Sequence, residues 1–190
     1  MRIALKILAV LVVGVALGLG LTWFTVFRGT MAGEVANGPW KTSLYAGSSE
    51  GGPYLRAAVA VHGLLALGRN ETIYYTATKD SDGWPLIGSC IYTIQMGDPP
   101  ARWWSITAYG ADDYLIPNPQ GLYSASMNSV KRQPDGSFFV TVAKEKLGDN
   151  FIPVGDGPFS LTLRLYNPKS AVTADPAHVA LPYINREACR

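Results

Sequence analysis

Phe159-Ser-Leu-Thr-Leu-Arg-Leu-Tyr166 is the stretch on which the fold turns. Phe159, Leu161, Leu163 and Leu165 alternate with Ser160, Thr162, Arg164 and Tyr166, the period of a strand buried on one face only. Arg102-Trp-Trp-Ser-Ile-Thr-Ala-Tyr109 repeats it. There Trp104, Ile106 and Ala108 share one face, and Trp103, Ser105, Thr107 and Tyr109 share the other. Thr72–Thr78 and Cys90–Met96 are further strand candidates, rich in β-branched and aromatic residues. Leu122–Val130 and Ser137–Ala143 flank Pro134-Asp-Gly136, a hairpin signal. Ala180–Ala188 reads as a returning edge strand. Asp80–Gly83, Gly97–Pro100, Gly110–Asp113 and Pro117–Gly121 supply turns between the runs. Eight or so short strands at this spacing predict a mainly β fold, an antiparallel jelly-roll-like β-sandwich.

Ahead of the strands lies one helix candidate, Tyr54–Leu67, opened by Pro53 and closed by Gly68 as a left-handed cap. It is apolar on most sides and is expected to pack against a sheet. His62 within it reads as a satisfied, partly buried histidine. Residues 29–52, dense in glycine and serine, read as a flexible tether. Trp40 and Tyr45 are the residues of that tether with the means to dock on the domain.

From Ile7 to Phe27 no charge interrupts the chain. As a helix this run is about 30 Å long, the thickness of a bilayer's hydrocarbon core. Arg2 and Lys6 precede it, which places the N-terminus in the cytoplasm and the rest outside. Residues 1–28 therefore read as a transmembrane anchor, 29–52 as the tether and 53–190 as an exported domain. The rival is a cleaved signal peptide, disfavoured by the length of the run and by the poor cleavage site at Thr30-Met-Ala32. Gly14 and Gly18 are spaced for close helix–helix approach, a route to self-association in the membrane.

Charged residues make up 16% of the 190 and the formal charge is +2, with much of that flanking the membrane run. No clustered basic surface signals nucleic acid. The two cysteines, Cys90 and Cys189, both fall in the exported part, where a disulfide persists; a bridge is preferred over two free thiols. It would staple the C-terminus to the sheet.

Chemistry is sparse. No phosphate loop or nucleophile elbow occurs, and two histidines, His62 and His178, leave no multi-histidine metal site. No metal, cofactor or catalytic residue is assigned. Asp112 and Asp113 are neighbouring carboxylates that could act as acid and base, though adjacent turn aspartates more commonly just form the turn. The surplus is aromatic: Trp84, Trp103, Trp104, Tyr109, Tyr114 and Tyr123, with Asp112, Asp113 and Asn118 near them, make a candidate ligand cleft. Trp and Tyr serve equally as anchors of a protein interface.

Two stretches carry a resemblance. Ala101-Arg-Trp-Trp-Ser-Ile-Thr-Ala-Tyr-Gly-Ala-Asp-Asp-Tyr-Leu-Ile-Pro-Asn-Pro119 and Asn150-Phe-Ile-Pro-Val-Gly-Asp-Gly-Pro-Phe-Ser-Leu-Thr-Leu-Arg-Leu-Tyr166 resemble the bacterial domain-of-unknown-function family 1214, and the similarity extends from about Pro53 to Ile184. Phe151 stands where the family often has Trp, and Asn167-Pro168 where Trp-Pro is frequent. The resemblance implies a jelly-roll sandwich with no established reaction. It also implies a companion β-domain, family 1254, that often precedes this domain in one chain and that a short anchored version would meet as a separate protein. Asn118 would be a turn residue, and Arg164 would pair with Asp112 or Asp113 across the sheet end.

The reading is thus a single-pass protein of the bacterial inner membrane with a periplasmic binding or assembly module. A carbohydrate- or small-ligand-binding domain is the alternative, and an envelope hydrolase using Asp112 or Asp113 comes third.

Overall fold

The computed structural model describes residues 2–28, 33–62 and 66–189. Helix α1 spans Arg2–Arg28, and its apolar 18-residue window has no residue buried in the protein. It is long and apolar enough to cross a membrane. The ten strands are β1 (Glu34–Asn37), β2 (Trp40–Ser43), β3 (Thr72–Ala77), β4 (Cys90–Met96), β5 (Ala101–Gly110), β6 (Ser124–Ser126), β7 (Phe138–Ala143), β8 (Phe151–Pro153), β9 (Phe159–Pro168) and β10 (Tyr183–Cys189). They form a six-stranded sheet in the order β1-β2-β3-β9-β5-β6 and a four-stranded sheet in the order β10-β4-β7-β8. Pairing is antiparallel except for β7 with β8, which run parallel. The wholly antiparallel expectation is corrected there, and the two-sheet, mainly β class stands.

The core is what period two dictates. Ile73, Tyr75 and Ala77 of β3, Trp104, Ile106 and Ala108 of β5, and Leu161, Leu163 and Leu165 of β9 all point inward. They meet Tyr92 and Ile94 of β4 and Phe138, Val140 and Val142 of β7. The Trp104 and Phe138 rings stack at 5.1 Å and 4°, joining the two sheets. Tyr75 reaches through this core to donate its hydroxyl to the Pro176 carbonyl at 2.9 Å. Burial, with the Asp175 charge second, pushes its phenol up to about 12.

Three expectations fail for non-local reasons. The stretch 34–43, taken as part of the tether, is a β-hairpin on the edge of the six-stranded sheet. Trp40 anchors it: the ring is buried and its Nε1 donates to the Pro182 carbonyl at 2.8 Å. Asn37 donates from Nδ2 to the Val179 carbonyl at 2.8 Å. The helix near His62, α2, is short, Pro53–Val61, with His62 as its C-cap. Gly68 is not left-handed and does not cap it, and positions 63–65 lie outside the described residues. Only Leu55 and Ala58 of α2 are buried, and its main packing partner is α1 rather than a sheet, which corrects the expected docking on a sheet. Finally, the runs around Pro134-Asp-Gly136 do not pair with each other. β6 joins β5 in one sheet and β7 joins β4 in the other, so this turn crosses between sheets.

Gly47 shows how closely segment 44–48 packs. Its φ is +75°, and a Cβ there would lie 2.4 Å from the Leu67 carbonyl oxygen. Short helix α3 (Ser170–Ala174) and a 3-10 turn (Pro176–His178) connect β9 to β10. β10 is the expected edge strand. Cys189 lies directly opposite Cys90, and the two form a disulfide across 99 positions of sequence.

That bridge closes a loop of about 100 residues, worth at most ~4.7 kcal/mol by chain entropy. Cys90→Ala/Cys189→Ala is therefore expected to fold but to unfold at clearly lower urea than the oxidised protein. Equal midpoints would show that β10 is held by its ladder alone.

A second expectation concerns acid. Asp98 Oδ1 accepts from Arg132 Nη2 at 2.7 Å and from Trp104 Nε1 at 3.0 Å. The hydrogen bond from Arg132 is the main cause holding this carboxyl below its usual range. A carboxyl lowered by folding stabilises the fold above its unfolded pKa and gives that up as pH falls through the lowered value. The pair is about half exposed and screened, so the effect is at most ~1 kcal/mol. The urea-midpoint gap between wild type and Asp98→Asn should be full at pH 7 and shrink below about pH 4.

Candidate functional site

The face of the six-stranded sheet turned away from the core is concave and polar. Its shape follows from the same alternation that builds the core. Each inward Leu of β9 leaves an outward neighbour, and register sets those neighbours in rows. Tyr74 of β3, Arg164 of β9 and Ser105 of β5 stand side by side in one row. Thr76, Thr162 and Thr107 make the next. They floor a cavity of about 830 Å³, whose walls carry Tyr109, Tyr123, Tyr166, Leu67 and Leu115.

Arg164 lies at the centre. Its Nη1 donates to Thr107 Oγ1 at 3.1 Å and its Nη2 donates to Tyr109 Oη at 2.5 Å. The guanidinium carbon sits 5.3 Å from the centroid of the Tyr109 ring and 5.9 Å from that of Tyr74. Both hydroxyls are acceptors in these bonds, so their own O–H groups are free to donate into the cavity. Thr76 and Thr162 pair hydroxyl to hydroxyl at 3.2 Å. Among the described residues no carboxylate forms an ion pair with Arg164; the carboxylates of Glu34 and Asp113 lie elsewhere on the cavity wall. On the wall Lys41 Nζ meets Glu34 Oε1 at 2.8 Å, and Asp113 Oδ2 lies 2.7 Å from His62 Nδ1, a contact that is an ion pair only when the imidazole is protonated. The floor of the cup therefore presents one guanidinium without an ion-pair partner among the described residues, set in rows of hydroxyls.

Of the residues singled out in the sequence, the cavity gathers Tyr109, Asp113, Tyr123 and Arg164, while Trp104 is buried in the core between the sheets. Trp103 is on the same face one row out, edge-to-face with Tyr166 at 5.2 Å, with its Nε1 donating to Asn128 Oδ1. Asp112, Tyr114, Asn118 and Trp84 are off the wall. Asp112 Oδ1 accepts from the Tyr114 amide and closes its turn. Tyr114 is 75% exposed. Asn118 donates to the Ile116 and Leu122 carbonyls and accepts from the Leu122 amide, so it is the brace of the 118–122 loop. Trp84 belongs to another corner, where Arg186 stands 5.9 Å from its ring and 2.9 Å from the buried carboxylate of Asp80. The pairing of Arg164 with Asp112 or Asp113 does not occur; Asp113 takes His62, and Arg164 takes two hydroxyls. Sequence reading missed His62, Tyr74 and the Thr/Ser rows as cavity residues. The available signal was the outward set of β9 and β5, in which polar residues surround one arginine at mid-strand.

Imidazole and carboxylate in contact form two-thirds of a triad, but among the described residues no hydroxyl is hydrogen-bonded to the His62 ring. The contact is a tie between α2 and the loop after β5.

The fold and the cup define a β-sandwich domain with a polar cleft, set behind an apolar N-terminal helix. The chain belongs to a protein family of unknown function, DUF1214, whose model matches residues 71–170. That span is narrower than the resemblance suggested, yet it holds all three floor strands, β3, β5 and β9. The crystal structure of the VPA0106 protein from Vibrio parahaemolyticus has the same fold, with a TM-score of 0.63 at 22% identity over 93% of this chain. The present chain spans 44% of that one. A putative uncharacterized protein from Burkholderia cenocepacia aligns at 14% identity and a TM-score of 0.42, over 63% of this chain and 30% of its own. No curated protein matches the chain.

Asp113 adopts φ +64°, a region that Asn and Asp tolerate and β-branched residues do not. Asp113→Asn is expected to cost under ~1 kcal/mol, since the ion pair it weakens is exposed. Asp113→Val should cost a further ~1–2 kcal/mol from backbone strain. Urea unfolding of the two variants checks the order.

Proposed function

We propose that the domain is a membrane-tethered receptor for a small anionic ligand, bound in the cup over Arg164. The observation that carries this reading is a half-buried guanidinium whose partners are hydroxyls and rings, in a cavity large enough for a ligand of sugar-phosphate size. Taking a guanidinium out of water is costly, and a carboxylate or phosphate would offset that cost with two parallel bonds. The rows of hydroxyls supply donors for the remaining oxygens. Within this reading α1 is the anchor, with its N-terminus in the cytoplasm of a bacterial inner membrane. Residues 34–189 then lie on the periplasmic side, where the Cys90–Cys189 bridge persists. A jelly-roll origin for the two-sheet arrangement is part of the same proposal.

The binding or assembly role with a companion β-domain is the second reading. It draws on the 44% coverage of the Vibrio chain, whose remaining length has room for another domain. Crosslinking in intact membranes that yields a stoichiometric β-rich partner would put assembly ahead of ligand binding.

The test of the first reading is thermal unfolding of the full chain in detergent with inorganic phosphate, sn-glycerol 1-phosphate, glucuronate, citrate or neutral glucose. At least one anion should raise the midpoint by several degrees, through mass action on the folded state. Arg164→Gln should abolish that rise. A panel without any Arg164-dependent shift removes the proposal, and a shift with glucose that survives Arg164→Gln replaces it by a neutral carbohydrate site.

A further inference from the structure

The cup has an apolar margin that a water-soluble anion does not need. Leu67 and Leu115 line it, and each leaves 43% of its surface exposed. On the His62 side the wall continues into α2, for which His62 is the C-cap. Tyr54 and Val61 lie seven positions apart on α2, hence on one face, and both are about half exposed. α2 packs in turn against α1, where Val26 is buried near the outer end. Around Val26, Trp23, Phe24 and Phe27 are exposed, with Trp23 and Phe27 in ring contact at 5.6 Å. Aromatic rings at the end of an apolar helix mark the depth of the bilayer interface. Exposed apolar side chains thus stand at the end of α1, on α2 packed beside it, and at the rim of the cavity that His62, the cap of α2, also lines and that holds Arg164 on its floor.

From this continuity, and resting on the reading of the cup as an anion site, we propose that the ligand is membrane-borne: an amphiphile whose phosphate-bearing headgroup reaches Arg164 while its acyl portion stays on the α2 side. The two ends of the site then have separate tasks. Arg164, with the hydroxyls of Thr107 and Tyr109, recognises the headgroup as a planar donor set fitted to two phosphate oxygens. Leu67, Val61 and Tyr54 keep the glycerol and upper acyl chain out of water. The occupant of the exposed α2 face is accordingly the acyl end of that lipid.

The experiment uses the full chain in nanodiscs of phosphatidylcholine with one-fifth phosphatidylglycerol. Native mass spectrometry reads the lipid retained after the disc is stripped. In a second arm, sn-glycerol 1-phosphate is titrated against the chain in discs of phosphatidylcholine alone, read by the fluorescence of Trp103 beside Tyr166. Wild type should keep one phosphatidylglycerol per chain in preference to phosphatidylcholine. Arg164→Gln should lower that retention at least tenfold, whereas Arg132→Gln, distant from the cup, should leave it intact. Val61→Asp should lower lipid retention and leave the titration with glycerol 1-phosphate unchanged. Equal retention by wild type and Arg164→Gln overturns the membrane-borne ligand. If glycerol 1-phosphate still binds in an Arg164-dependent way, the anion receptor survives with a soluble ligand; if it does not, both readings fall.

Discussion

Strand β9 is committed on both faces, and the rest of the structure follows from that. Leu161, Leu163 and Leu165 are fully buried between the sheets, so the backbone between them has no freedom to slide or rotate. The residues in between, Thr162 and Arg164, are thereby fixed relative to one another and to their neighbours on β3 and β5. A one-residue slip would send the leucines into the cup and Arg164 into the core. The cup inherits its rigidity from the sandwich, which suits a binding surface because little order has to be created when a ligand arrives.

The same alternation explains which parts of the molecule could be read from the sequence. β3, β4, β5, β7 and β9 declare themselves because each buries one face and repeats every second residue. β1 and β2 do not, being four residues each in a glycine- and serine-rich segment. They exist because Trp40 finds a buried slot and a carbonyl partner 142 positions away, a contact with no local trace. The turn at Pro134-Asp-Gly136 carried a true local signal, but which sheet each flank joins is decided by the partners across the core. The disulfide was legible because only two cysteines exist and both lie beyond the apolar N-terminal run.

The site was legible in part. Parity placed Trp103, Thr107 and Tyr109 on one outward face, and that is their position. Strand order was not available, so nothing in the sequence could say that β9 lies between β3 and β5 and that Arg164 therefore stands between Tyr74 and Ser105. The contact of His62 with Asp113 spans 51 positions and joins a helix end to a turn. Trp84, chosen for its ring alone, went to the far corner with Arg186.

Two other arginines of the sandwich have carboxylate partners: Arg132 has Asp98 and Arg186 has Asp80, each within 3 Å of a carboxylate oxygen. Asp80 is buried, and Arg186 offsets a charge that would otherwise be expensive to hold there. Arg164 has no such counterpart among the described residues. A lysine or glutamine could not span Thr107 and Tyr109 in the same plane, and a threonine would complete the row with no charge to desolvate. What distinguishes arginine here is the planar set of donors left over once the two hydroxyls are satisfied. Among the described residues no further acceptor is hydrogen-bonded to those donors, and an anion entering the cup would supply one.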